Sequence, residues 1–288
     1  MKTILSGLAR LSLTLLLLAA AVWTGKAAWD HYMDAPWTRD GRVKADIINI
    51  SADVSGIVTE VPVRDNQLVH QGDVLFTLDK VRYVDALAQA EAMLAAQRTE
   101  ISRRSTEAKR RAGLDASVVS TESRESADFA VNSATAQYQA ALAARNLAQV
   151  NLERTVVRAP ATGYVTNLHV YVGDFAAAGA AKLAVIDSAS FYVVGYFEET
   201  KLALMHQGAP VEMSMLGSEA PMRGHIESVA RGITDRDAST GRELLADVNP
   251  TFNWVRLAQR VPVRIHIDQV PAGQTLVAGT TCTIVLKG

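Results

Sequence analysis

Ser55–Val63 reads SGIVTEVPV, and Thr162–Val170 reads TGYVTNLHV. The longer copies run ADVSGIVTEVPVRDNQLVHQGDVLFTLD, ending at Asp79, and APATGYVTNLHVYVGDFAAAGAAKLAVID, ending at Asp187. Gly56 aligns with Gly163, Val58 with Val165, Thr59 with Thr166, Val63 with Val170 and Gly72 with Gly179, a constant offset of 107 (163 − 56). One inserted residue later, Leu75 aligns with Leu183 and Asp79 with Asp187. Side chains alternate within the pattern. Ile57, Thr59, Val61 and Val63 share one face, with Val58, Glu60 and Pro62 opposite, the period of a half-buried strand. Arg64-Asp65-Asn66 and Gly72-Asp73 supply turns. Gly56 and Gly163 mark a bend or a close backbone approach. Each copy predicts about four short strands, too few to enclose a core alone. Two copies facing each other would enclose one.

Between the copies the composition changes. No proline occurs between Pro62 and Pro160, and Gly113 is the sole glycine between Gly72 and Gly163. The interval is rich in Ala, Gln, Glu, Arg and Leu, all good helix formers. Leu87, Leu94, Ile101 and Ala108 form one seven-residue ladder. Ala127, Ala134, Ala141 and Ala148 form another, with Val131 and Tyr138 beside it. Such spacing is the seam of a coiled coil. The stretch Gly113 to Ser120 interrupts it: Gly113 suits a helix end, and Ser120 with Glu122 suits a helix start. Two arms of about 33 residues follow, each roughly 50 Å long at 1.5 Å per residue. Equal arms are what a hairpin needs to return to its origin. An antiparallel helical hairpin is thus expected at the central turn of one β-domain.

The N-terminus carries the compartment signal. Ile4 to Thr24 is apolar except for Ser6, Arg10, Ser12 and Thr14. About 20 such residues cross a hydrocarbon core. Lys2 and Arg10 lie before the leucine run and Trp23 and Trp29 after it, which orients the remainder outside the cytoplasm. A retained anchor over residues 1–30 is one reading, and a cleaved signal peptide with an apolar stretch from Leu11 to Ala21 is the other. Of the 288 residues, 49% are apolar, and the net charge is −1. That balance gives no reason to expect nucleic acid as a partner. The lone cysteine, Cys282, excludes an internal disulfide, and in its apolar run it reads as a small buried hydrophobe.

After Asp187 the pattern is that of strands with one short helix. Phe191 to Phe197 reads as a strand, Glu198-Glu199 opens a short helix ended by Gly208, and Val261, Val263, Ile265 and Ile267 alternate with polar residues. Gly279 to Leu286 gives a last strand. The polar stretch TDRDASTGRE, residues 234–243, is expected to be a mobile loop. No catalytic constellation is visible. The six histidines, His31, His70, His169, His206, His225 and His266, lack metal-ligand spacing, and no GxSxG, Walker or dinucleotide motif occurs. Adjacent Glu198 and Glu199 on a helix do not face each other. An enzyme is therefore not expected, nor a cofactor or metal.

The paired β motifs resemble lipoyl or biotinyl carrier domains, in which a modified lysine sits on the turn between halves. Asp79-Lys80 falls at that place, so a carrier modified at Lys80 is one alternative. The full arrangement resembles the HlyD-type membrane fusion proteins, the periplasmic adaptors of efflux and secretion systems, and within them the adaptors of p-hydroxybenzoic acid efflux. The stretches carrying it are PWTRDGRVKAD (36–46), DNQLVHQGDVLFTLD (65–79), NLERTVVRAPATGYVTNLHVYVGDF (151–175), SFYVVGYFEETKL (190–202) and WVRLAQRVPVRI (254–265). The resemblance implies an elongated α+β chain: an anchor over 1–30, a split lipoyl-like β-sandwich over 43–79 and 157–188, a coiled-coil hairpin over 80–156 and a β-barrel over 189–288. It implies an inner-membrane location with the bulk of the chain in the periplasm. The implied partners are an inner-membrane transporter, an outer-membrane channel and further copies of the chain in a ring. Its cargo would be an aromatic carboxylate, with a polypeptide secretion adaptor as another alternative. The family meets its channel through Arg, three residues, Leu, six residues, Ser at the hairpin tip. Here Arg110, Leu114 and Ser120 match that pattern with one residue fewer before the serine.

Overall fold

The computed structural model of the protein describes residues 2–29, 36–115, 117–217, 220–233, 239–240, 246–247 and 258–287. Its contacts divide it into two units, one of residues 1–45 and 190–288, the other of residues 46–189.

The second unit holds the repeated motif. The first copy supplies β2 (Ile47–Ser51), β3 (Gly56–Glu60), β4 (Leu68–Val69) and β5 (Val74–Leu78). The other supplies β6 (Val156–Arg158), β7 (Gly163–Thr166), β8 (Phe175–Ala176) and β9 (Ala181–Asp187). The copies do not form one sheet each. One sheet runs β2-β9-β7-β4 and the other β6-β5-β3-β8, so each takes two strands from each copy. The two orders are images of each other under exchange of the copies. The exchange extends to single bonds. Asn66 N–H donates to the Val165 carbonyl at 2.8 Å, and Gly173 N–H to that of Val58 at 2.9 Å. Gly72 N–H donates to Ala159 at 2.8 Å, and Gly179 N–H to Ala52 at 2.9 Å. Gly72 and Gly179 hold φ of 92° and 78°, a region that suits glycine. Neither copy can satisfy its backbone without the other, which makes the sandwich a single cooperative fold. Its core includes Val58, Val69, Leu75, Phe76, Val165 and Val185, all at most 1% exposed.

From this sandwich the hairpin departs as α2 (Val81–Ala112) and returns as α3 (Thr121–Glu153), arms of 32 and 33 residues. In α2, with Glu100, Ser105 and Glu107 half-buried at the margin, a line of half-buried positions runs Tyr83, Leu87, Ala90, Leu94, Gln97 and Ile101, then Arg104, Ala108 and Arg111. Steps of four and three alternate throughout, as in a coiled-coil seam. The apolar ladder expected on α2 is therefore one of two, and its companion becomes polar from Gln97 onward. On α3, Ala127 and Ala134 are the fully buried side chains. Their small size lets the arms approach closely.

The first unit contains the barrel. It comprises β1 (Trp37–Lys44), β10 (Tyr192–Glu198), β11 (Pro210–Met215), β12 (Met222–Val229), β15 (Arg260–Gln269) and β16 (Thr281–Leu286), closed in the order β1-β10-β15-β12-β11-β16. A 3-10 helix, Glu199–Leu204, follows β10 where a short helix is expected. Val261, Val263 and Ile265 are buried in β15, as their alternation requires. The resemblance implies a β-sandwich that begins at residue 43 and a barrel that begins at 189. The structure instead gives Val43 and Lys44 to β1, a strand of the barrel. The reason is pairing: β1 fills the gap between β10 and β16, where Gly41 meets both Gly195 and Cys282. Residues 234–243 lie mostly outside the described residues; Ser239–Thr240 (β13) pairs with Ala246–Asp247 (β14).

The N-terminal helix, α1, spans Lys2–Trp29. Among the described residues no helix is long and apolar enough to cross a membrane. Side-chain surroundings in α1 are described for 13–26, a part of the expected span. There Leu13, Leu15, Leu16, Leu17, Leu18 and Val22 are all exposed. Consecutive leucines cover every direction around a helix, so this segment serves no core of its own chain.

Candidate hairpin tip and its footing

The tip is built by its caps. Gly113 ends α2, its N–H reaching the Lys109 carbonyl at 3.1 Å. Ser120 starts α3 from an extended backbone, and its Oγ accepts from Ser123 N–H at 3.2 Å. Between them Asp115 folds the turn: one carboxylate oxygen accepts from Ser117 N–H at 2.9 Å and from its hydroxyl at 2.8 Å. These bonds, the backbone one first, hold the Asp115 carboxyl below its usual range. Arg124 Nη2 donates to the Leu114 carbonyl at 2.7 Å, tying the start of α3 to the turn.

The three tip residues fall within a short stretch of chain. Arg110 is exposed in the last turn of α2. Leu114 is 46% exposed in the turn itself. Ser120 spends its hydroxyl on the cap, a structural task that its position already predicts. Val118, absent from the expected set, is 70% exposed. Its signal was available: two β-branched residues, Val118-Val119, stand directly before a capping serine, where neither has a helix to pack.

The other end of the hairpin is fixed to the sandwich. Tyr83 Oη donates to the Ser55 carbonyl at 2.7 Å, and Arg82 donates to the same oxygen. Arg154, which caps α3, pairs with Asp53 at 2.7 Å. Thr155 is buried, with Oγ1 donating to the Leu152 carbonyl at 2.7 Å. Lys80 precedes α2 as its N-cap, and Asp79 accepts from Val81 N–H at 2.9 Å. The strands flanking it, β5 and β6, pair at Thr77 and Val156. Lys80 therefore opens a helix and does not sit on a tight turn between strands.

Among the described residues no three His, Cys, Asp or Glu side chains group to hold a metal. The barrel does bring two histidines together that are 41 residues apart (266 − 225). His225 and His266 are register partners with ring centroids 5.3 Å apart, and Asp268 lies 2.9 Å from His225 Nδ1.

A β-sandwich whose central turn opens into a two-helix hairpin, in a chain that also closes a six-stranded barrel, is the architecture of a membrane fusion protein. Residues 81–153 match the family described as "pHBA AAEA subunit, alpha-helical hairpin domain", and residues 190–287 match "AAEA-like beta-barrel domain". The uncharacterized protein YdhJ of Escherichia coli (strain K12) is 42% identical over 271 residues, covering 94% of this chain and 95% of that one. Among solved structures, the membrane fusion protein Spr0693 from Streptococcus pneumoniae R6 superimposes with a TM-score of 0.63 at 17% identity, over 87% of this chain and 98% of that one. MacA from Actinobacillus actinomycetemcomitans gives a TM-score of 0.60 at 18% identity, over 88% of this chain and 78% of that one. The chain belongs to the HlyD-type membrane fusion protein family, in its AaeA-like branch. That family consists of adaptors, not enzymes.

Proposed function

We propose that this chain is the periplasmic adaptor of an efflux pump for small aromatic carboxylates. Anchored in the inner membrane by its N-terminal helix, it assembles with further copies into a ring. The ring joins an inner-membrane transporter to an outer-membrane channel through the hairpin tips. The observation that carries this reading is the hairpin. Arms of 32 and 33 residues reach roughly 50 Å, their footing is held by four side chains, and their turn exposes Leu114 and Val118. Apolar side chains at the end of a charged, solvated rod gain nothing unless a partner covers them. Arg110 adds a charge beside them, and Ser120 sets the geometry of the turn. The aromatic cargo is inferred from the description of the matched hairpin family, which names pHBA.

Photo-cross-linking from position 114 in intact cells tests the bridge. The expected product is an outer-membrane channel subunit; capture of cytoplasmic-membrane proteins alone would refute it. A second test removes residues 85–151 and rejoins the strands. The sandwich, whose core is entirely outside that stretch, should stay folded while export of 4-hydroxybenzoate stops. Continued export by that deletion variant would exclude a bridging role.

A further inference from the structure

One cleft of the barrel unit takes no part in the bridging reading. Its volume is about 530 Å3, within the roughly 300–1,000 Å3 of small-molecule sites. An irregularity in β1 shapes it. Thr38 pairs with Ile284 and Gly41 with Cys282, so Arg39 and Asp40 together oppose one residue, Thr283. An extra residue of this kind bends a strand and re-aims its side chains. The bulge is fixed in place: Thr38 Oγ1 donates to the Tyr196 carbonyl at 2.8 Å and accepts from Asp40 N–H at 3.1 Å.

Trp37 gathers two cations in this cleft. The Arg39 guanidinium lies 5.2 Å from the indole centroid and the Lys201 ammonium 5.8 Å. Lys201 has a side chain only 14% exposed, and its carboxylate partner, Glu198, is 3.8 Å away, too far for a hydrogen bond. Arg39 has no ion-pair partner among the described residues. The third cation, Arg260, is engaged by Asp40. The lining therefore carries one positive charge in excess: Arg39, Lys201 and Arg260 against Asp40 and Glu198. Two like charges lining one cleft, one of them largely out of water, favour an anion in it. The walls beside them are the aromatic rings of Trp37 and Tyr196, which favour a flat apolar body.

We propose that this cleft binds a small aromatic carboxylate, its carboxylate between Lys201 and Arg39 and its ring against the aromatic wall. The preference for an anion stands on the cleft; the aromatic class also rests on the cargo reading above. The test is calorimetric titration of the full chain in detergent with 4-hydroxybenzoate, cyclohexanecarboxylate and inorganic phosphate, for the parent protein, Lys201→Gln and Arg39→Gln. Saturable binding of 4-hydroxybenzoate is expected, weakened at least about ten-fold by either substitution, with both other ligands weaker. Arg39 is exposed, so its variant keeps the barrel folded even if the Lys201 variant does not. Absence of saturable binding, affinity unchanged in Arg39→Gln, or phosphate binding as tightly as the aromatic acid would each overturn the proposal. Export in cells separates the two readings. Lost binding with export retained removes the cleft alone, whereas intact binding without export of the acid removes the cargo reading alone.

Discussion

A Cβ built on Gly163 would stand 2.0 Å from the Ile186 carbonyl oxygen, which a rigid sheet cannot accommodate. Gly163→Ala should therefore destabilise the sandwich by about 3 kcal/mol, the upper range for overpacking. Gly72→Ala meets open space but must hold φ of 92°, and should lose about 1–2 kcal/mol. Urea denaturation of both variants ranks them, and equal losses would contradict the packing argument. Cys282 gives a second residue-scale test. Burial pushes its thiol up to about 11, and Gly41 leaves no space against its Sγ. It should resist thiol reagents at pH 8 until the chain is denatured. The folded state holds its proton where the unfolded state releases it, so stability falls as pH rises from about 9 to about 11. The repeated glycines and the buried cysteine were legible from spacing and neighbours alone. Val118 is marked only by the β-branched pair it forms with Val119 before the cap, because exposure at a turn has no periodicity to betray it.

At the scale of elements, α2 carries an acidic clamp. Glu100 accepts from Arg103 Nη2 at 2.7 Å and from Arg104 Nε at 2.7 Å. These bonds, that of Arg103 first, lower its carboxyl from 4.5 to about 2. A depressed carboxylate stabilises fully above its unfolded value and loses that contribution as pH falls through its folded value. Glu100→Gln should thus melt earlier than the parent at pH 7, with the difference closing between about pH 4.5 and 2. Thermal melts followed by circular dichroism at several pH values check this; a gap independent of pH would show the pairs to be idle. Both helices and their caps could be read in advance, since seven-residue ladders and Gly113 or Ser120 are local signals. The second ladder of α2 carries no apolar signal because Gln97, Arg104 and Arg111 are polar. They are tolerated there because a seam between only two helices remains half open to water, and long side chains keep their charged ends in it.

At the scale of the whole molecule, the barrel depends on a strand that precedes the sandwich in sequence. Removing residues 1–35 should leave both units folded, while removing residues 1–44 takes away β1 and opens the barrel between β10 and β16. Limited proteolysis of the two truncated chains is the measurement: rapid cleavage within residues 190–287 is expected for the second alone, and protection in both would show that β1 is dispensable. The sequence by itself determined the inventory: a sandwich written in two copies, a hairpin between them, strands after Asp187, an apolar N-terminal helix. Those conclusions rest on periodicity and repeated spacing, which are properties of neighbouring residues. Only the tertiary structure decided that each sheet draws strands from both copies, that Trp37–Lys44 closes the barrel, and that Trp37 meets Lys201. Each of these is a partnership between residues far apart in the chain. Which strand fills an open edge is set by the backbone donors and acceptors left unpaired once everything else has folded, and no local pattern records that.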